Sequence, residues 1–225
     1  MDETTRLLIL AVSWILYGTI HSLLASHAVK AAFRRRFPSA FRGYRLAYNL
    51  LATVLLLPPL WLLYSYPGKI LWHWPEPVRW AADALALAAA VGFLWSARGY
   101  DTREFLGLSQ LSRRDLPIDD QAPMSISPAH RFVRHPWYFL GLVILWTREM
   151  NAAFLLSAVV LTLYLWVGSR LEERKLLICY GEPYRRYRRR VPGLVPLPWR
   201  HLSREQAQEL LAMDRSGTCP GSLSE

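Results

Sequence analysis

Cysteine is scarce in this chain of 225 residues, with Cys179 and Cys219 its only two. They form no CxxC pair, and no cluster of His and Cys at metal-ligand spacing accompanies them, so no metal site is expected. Both fall in segments assigned below to the cytoplasm, where a structural disulfide is not expected. Acidic residues are also few, 17 against 27 Lys and Arg, for a formal charge of +10. Charge of either sign is almost missing from several long apolar runs. Internal repeats are missing too, which removes a repeat architecture. The start Met1-Asp2-Glu3 lacks the basic flank of a signal peptide, so the first apolar run is expected to stay in the protein.

What is present is apolar: 52% of residues are hydrophobic, and ten are Trp. A helix needs about 20 mostly apolar residues to cross a hydrocarbon layer of about 30 Å. Residues 7–25, 46–66 and 78–97 meet that length, and residues 151–168 reach it. Residues 137–146 form a shorter run that rises only about 15 Å as a helix. The chain reads as an all-α integral membrane protein with about five transmembrane helices.

The basic residues sit in three stretches. One holds Lys30, Arg34, Arg35, Arg36, Arg42 and Arg45; a second runs from Arg98 to Arg134; the third is the tail from Arg170 to Arg204. The connections at residues 67–77 and 147–151 carry almost no net charge. This alternation follows the positive-inside pattern and makes a nucleic-acid partner unnecessary. It places the N-terminus outside and the C-terminus in the cytoplasm. If residues 137–146 did not enter the membrane, the Arg-rich tail would end outside. The last two helices are therefore expected to form a hairpin, turning at Arg148, Glu149 and Asn151.

The expected organisation is one membrane domain over residues 1–225. Residues 1–100 hold three N-terminal helices, and residues 101–135 form a cytoplasmic loop with a surface excursion at 113–128. Residues 136–200 form the hairpin and tail. Residues 201–225 are polar and partly disordered, with a short amphipathic helix expected at 203–213 and fraying from Asp214.

Two polar constellations stand at the cytoplasmic ends of the hairpin. The first is Arg134-His135-Pro136-Trp137-Tyr138-Phe139-Leu140-Gly141. The second is Leu171-Glu172-Glu173-Arg174-Lys175-Leu176, followed by Gly181-Glu182-Pro183-Tyr184-Arg185-Arg186-Tyr187-Arg188 and Val191-Pro192. Taken singly, these residues suit interfacial anchors, aromatic-belt tyrosines or solvated ion pairs. Taken together, they resemble the isoprenylcysteine carboxyl methyltransferase and phospholipid methyltransferase superfamily. The resemblance covers residues 130–197. The N-terminal half is most similar to the methanethiol S-methyltransferase and NnrU-like branch, through His21-Ser22, Lys30, Tyr100-Asp101, Phe105-Leu106-Gly107-Leu108 and Gln110.

The resemblance implies S-adenosyl-L-methionine held by the last two helices and the cytoplasmic tail, in a bacterial inner membrane. His135, Pro136, Tyr138, Gly141, Glu172, Glu173, Tyr184 and Tyr187 are the cofactor-binding candidates. A helix N-terminus at Pro136 with Arg134 beside it suits the cofactor carboxylate. Glu172 or Glu173 suits its ammonium or ribose hydroxyls, and the aromatic rings suit its adenine and sulfonium. Arg134, His135 and Arg188 are the catalytic candidates, by positive field or proton acceptance, since a thiol reacts as its thiolate. The implied acceptor is small or lipophilic, a methanethiol-like thiol first, a prenylcysteine carboxylate or lipid amine second. His21 and Gln110 are substrate-side candidates. The alternative is a haem-binding membrane isomerase of NnrU-like type, with His21 as axial ligand.

Overall fold

A computed structural model of the protein describes residues 1–98, 101–112 and 124–214. Tyr100, most of the 113–128 excursion, Cys219 and the tail after Asp214 lie outside the described residues. The described chain is mostly helical. Among the described residues, four segments are long and apolar enough to cross a membrane: α1 (Glu3–Ala25), Ala40–Ser65 with α3 (Tyr44–Ser65), α4 (Val78–Ala97) and α8 (Ala152–Arg190). Leu8, Leu50, Leu57, Leu87 and Leu94 on these helices are exposed. In water such apolar area would cost about 25 cal/mol per Å², whereas in hydrocarbon it costs nothing. Pro58 and Pro59 lie inside α3, as membrane helices tolerate. The shorter apolar helix is α7 (Pro136–Trp146).

The chain divides into two compact units. The first comprises Met1–Ala84, Ala97–Leu116 and Trp146–Thr162. Its core joins Leu10 and Trp14 of α1 to Leu63 of α3 and Ala153 of α8. Trp14 Nε1 donates to Ser157 Oγ at 2.8 Å, and Ser157 Oγ donates to the Ala153 carbonyl at 2.9 Å, so the buried polar atoms are paired.

At one end of this unit the weakly charged connections meet. Glu3 Oε1 accepts from the Lys69 N–H at 2.9 Å, and the Lys69 carbonyl accepts from Ala152 N at 2.9 Å. Strands β1 (Ile70–Trp72) and β2 (Met150–Asn151) pair antiparallel. This ladder of three and two residues is a local feature of an all-α architecture. Two short connections gathered at one end satisfy backbone groups that neither helix can use. The expected hairpin turn is held by its partners: Arg148 pairs with Asp83 at 2.9 Å, and Glu149 with His73 at 3.0 Å. Asn151 Oδ1 caps the start of α8 by accepting from Phe154 N.

Near the opposite end of α1, Ser26 starts α2 (His27–Arg36), and Tyr44 Oη donates to the Leu24 carbonyl at 2.7 Å. The segment after α4 folds back on the start of α3 through α5 (Thr102–Leu106) and α6 (Leu108–Ser112). Asp101 caps α5, and Asn49 Nδ2 donates to the Phe105 and Leu106 carbonyls, each at 3.1 Å.

The second unit comprises Leu85–Ser96, Pro117–Leu145 and Leu163–Glu225. Its core is Met124, Tyr184, Tyr187, Val191, Leu202, Ala207 and Leu210. Trp137 of α7 stacks at a tilt on Phe93 and donates from Nε1 to Ser96 Oγ at 2.8 Å. The α8 backbone breaks at Gly181 (φ 56°, ψ −126°), a conformation open essentially to glycine alone. Residues after it, led by Glu182 and Pro183, start a new helical direction that carries Tyr184 and Tyr187 into the core.

One expectation needs correction here. The C-terminal amphipathic helix, α9 (Arg204–Asp214), does not fray at Asp214. That carboxylate is buried and accepts from Met124 N at 2.9 Å, which ties the helix end down.

Candidate functional site

The site is assembled in the second unit, where α7 begins and α8 passes residues 172 and 173. Arg134 and His135 immediately precede Pro136, the first residue of α7. Their backbone N–H groups donate to the Pro192 and Gly193 carbonyls at 2.9 and 3.1 Å, so residues 191–193 lie alongside them. Gly193 permits this approach: a Cβ there would stand 3.2 Å from Arg134 Nη2.

Glu173 is the hub. Its side chain is 4% exposed, and Oε1 meets Arg134 Nη2 at 2.7 Å and His135 Nε2 at 3.2 Å. Arg188 Nε stands 3.6 Å from Oε2. Arg134 Nη1 also donates to the Arg188 carbonyl at 3.0 Å and to that of Val191. Arg134 is thus saturated by protein groups, as a buried guanidinium must be.

Glu172 differs from its neighbour. Its side chain is 49% exposed, with His135 Nδ1 at 3.4 Å and Tyr138 Oη at 3.4 Å from Oε2. His135 lies flat against Tyr138, with ring centroids 5.2 Å apart and planes 10° apart. Both imidazole nitrogens face carboxylates, which only the doubly protonated ring satisfies. Burial disfavours the charge on His135, but its hydrogen bonds to Glu172 and Glu173 and their negative field outweigh it. Its pKa is raised above the ordinary 6.5. With its two ring nitrogens at 3.4 and 3.2 Å from the two carboxylates, His135 holds Glu172 and Glu173 in place.

The other predicted site residues divide. Tyr138 is half-buried, and Arg188 keeps 42% of its side chain exposed. Pro136 is buried at the start of α7. A Cβ on Gly141 would meet nothing within 4 Å, which leaves open space there. Tyr184 and Tyr187 are core residues, 5.6 Å apart edge to face, and Tyr187 Oη donates to the His130 carbonyl at 2.7 Å. Neither ring presents an open face, so adenine stacking on them does not fit this packing.

His21 and Gln110 belong to the other unit. His21 Nε2 stands 2.7 Å from Tyr48 Oη, between the rings of Tyr17 and Tyr48. Gln110 Nε2 donates to the Glu104 carbonyl at 3.2 Å, which fits a role in holding the α5–α6 fold.

Sequence reasoning missed Gly193 and His130. The Pro192-Gly193 dipeptide was a turn signal in plain view. His130 Nδ1 lies 2.7 Å from Ser127 Oγ. Burial, and then the positive charge of His135, lower its pKa below 6.5. Among the described residues, one cavity lined by Glu3, Arg6, Tyr66 and Lys69 and one lined by Trp74, Arg79, Asp83 and Arg148 belong to the first unit.

The residues fit an S-adenosylmethionine-like ligand in part. Glu172 is open to a ligand, and Tyr138 supplies a ring beside it.

The chain is similar to curated methanethiol S-methyltransferases. One from Mycobacterium tuberculosis is 34% identical over 200 residues, covering 84% of this chain and 79% of that protein. Methanethiol S-methyltransferase 2 of Bradyrhizobium diazoefficiens is 31% identical over 195 residues, 80% of this chain and 70% of that protein. Methanethiol S-methyltransferase 1 of the same organism is 30% identical over 188 residues, and there the chain spans 64% of the relative's length. No family profile and no solved structure matches the chain.

Proposed function

The chain belongs to the methanethiol S-methyltransferase family, and from that membership we propose that it is an S-adenosylmethionine-dependent methyltransferase acting on a small thiol. The observation that carries the reading is the division of labour between adjacent glutamates. Glu173 is consumed by Arg134 and His135, and Glu172 is left half-exposed beside Tyr138. Apposition of the Arg134–Tyr138 and Glu172–Glu173 clusters is what a cofactor site at the hairpin end requires.

S-adenosylmethionine, when bound, supplies an electrophilic methyl group on a sulfonium. Glu172 accepts hydrogen bonds from the ligand's ammonium or ribose hydroxyls, and Tyr138 Oη holds Glu172 in place. The N–H groups of the first turn of α7 and the exposed Arg188 guanidinium receive its carboxylate. Glu173, Arg134 and protonated His135 fix these groups rather than touch the ligand. Methyl transfer to sulfur is an in-line displacement, so alignment supplies most of the acceleration. The positive charge of Arg188 favours the thiolate form of the acceptor.

The proposed placement has the N-terminus outside, the C-terminus in the cytoplasm, and α7 and α8 entering and returning together in a bacterial inner membrane. The Glu3, Lys69 and Ala152 contacts support it, because they gather the weakly charged connections at one end.

The test is a methyl-transfer assay on purified protein with labelled cofactor and a panel of thiols, carboxylates and amines. Label on small thiols is the expected result. Label on a prenylcysteine carboxylate or lipid amine alone would replace the acceptor. No transfer, with no thermal stabilisation by S-adenosylhomocysteine, would remove the enzymatic reading.

A further inference from the structure

Helix α2 carries charge that the methyltransferase reading does not use. Residues 26–45 contain Lys30, Arg34, Arg35, Arg36, Arg42 and Arg45 but no Asp or Glu. Arg45 is engaged with the Phe105 carbonyl at 3.2 Å. Among the described residues, none of the other five forms an ion pair, and Arg34, Arg35, Arg36 and Arg42 are exposed. The tail arginines contrast with them: Arg185, Arg186 and Arg189 all pair with Glu182, at 3.4, 3.3 and 3.2 Å.

The geometry beneath α2 is aromatic. Phe33 packs on Tyr44 and on Phe37, with centroids 5.0 and 5.3 Å apart, and Phe41 stacks on Tyr44 at 5.8 Å. The Arg34 guanidinium lies over Phe41 at 5.8 Å and that of Arg36 over Phe37 at 5.1 Å. Tyr44 Oη, bonded to the Leu24 carbonyl, ties this platform to the last turn of α1 and the first turn of α3. Both of those helices are membrane spans, so the cations stand where hydrocarbon gives way to headgroups.

We propose that α2 and the following turn form a docking surface for phospholipids whose headgroups carry net negative charge. Charge complementarity identifies the occupant, and the position between two spans identifies its source as the bilayer. A polybasic segment beside a membrane helix gains about fivefold in binding per cation near an anionic surface. Aromatic rings at the same level suit the headgroup region, and the cation–π contacts hold the guanidinium groups there.

The experiment titrates the purified full chain, in neutral detergent, with phosphatidylglycerol or phosphatidylcholine, reading bound lipid by native mass spectrometry and thermal unfolding in parallel. Phosphatidylglycerol is expected to bind in preference to phosphatidylcholine. R34Q/R35Q/R36Q should weaken phosphatidylglycerol binding about 100-fold, while R34K/R35K/R36K and R185Q/R186Q/R189Q retain it. Equal binding of the two lipids by the unaltered protein would overturn the proposal, even if the Gln variant fails to fold. So would undiminished preference in that variant, or the same stabilisation by inorganic phosphate at matched concentration.

Discussion

Glu173 and Arg134 form an ion pair at 2.7 Å with side chains only 4% and 7% exposed, while adjacent Glu172 remains 49% exposed. Two identical side chains, one peptide bond apart, therefore face opposite physical problems. Breaking a buried pair by removing one partner costs about 3–5 kcal/mol, because the other charge is stranded. Glu173→Gln should accordingly lower the unfolding temperature in detergent sharply. Glu172→Gln should change stability by less than about 1 kcal/mol but weaken cofactor affinity at least tenfold, as loss of a charged hydrogen bond of about 1.5–3 kcal/mol implies. Calorimetry and thermal unfolding on both variants check this; equal behaviour of the two would undo the division.

The histidines set a pH window. His135 has its folded pKa raised, so its contribution is fully present below the unfolded value near 6.5 and is lost as pH rises through the folded pKa. His130 has its folded pKa lowered, so its contribution is present above 6.5 and is lost as pH falls through the folded pKa. Unfolding temperature against pH should decline on both sides. His135→Gln should remove the dependence on the alkaline side and weaken that on the acid side, where the charge of His135 no longer opposes protonation of His130. A wild-type curve that climbs from pH 7 to 9 would contradict the assignment.

Two glycines should respond differently. Gly181 holds φ 56°, ψ −126° with no atom within 4 Å of a built Cβ, so Gly181→Ala strains only the backbone. A loss of about 1–3 kcal/mol is expected. Gly141 lies within α7 with the same free space, so Gly141→Ala should raise stability, by up to about 1 kcal/mol. If ligand approaches this open side, Gly141→Leu will cut cofactor affinity without lowering the unfolding temperature of the apoprotein.

Topology is open to a reporter assay. A cytoplasm-active reporter fused after Glu225 should give signal, and one inserted after Trp72 should not. The pairing of β1 with β2 and the Glu3 contact require residue 72 and the N-terminus to share a side. Signal at residue 72 and silence at residue 225 would invert the placement.

His21 separates the methyltransferase reading from the haem alternative. His21→Ala should leave S-adenosylmethionine affinity unchanged, since Nε2 serves Tyr48 and the ring packs at a tilt against Tyr17. Stoichiometric haem in the purified protein, with a Soret band altered by the same substitution, would reverse the ranking.

Sequence alone determined the membrane class, the main helices and the two clusters that form the site. Apolar run length and charge placement act locally, through the cost of putting a peptide or a cation into hydrocarbon. Tertiary structure decided what local signals cannot carry. Glu172 and Glu173 are indistinguishable in the sequence, and only their rotation about α8 buries one against Arg134 and leaves the other open. Tyr184 and Tyr187 read as ligand faces, but the break at Gly181 turns them into a core with Val191 and Leu202. Sequence leaves His135 open between positive field and proton acceptance, and only the fold shows both of its nitrogens facing carboxylates. Burial and pairing depend on distances across the fold, which residue order does not contain.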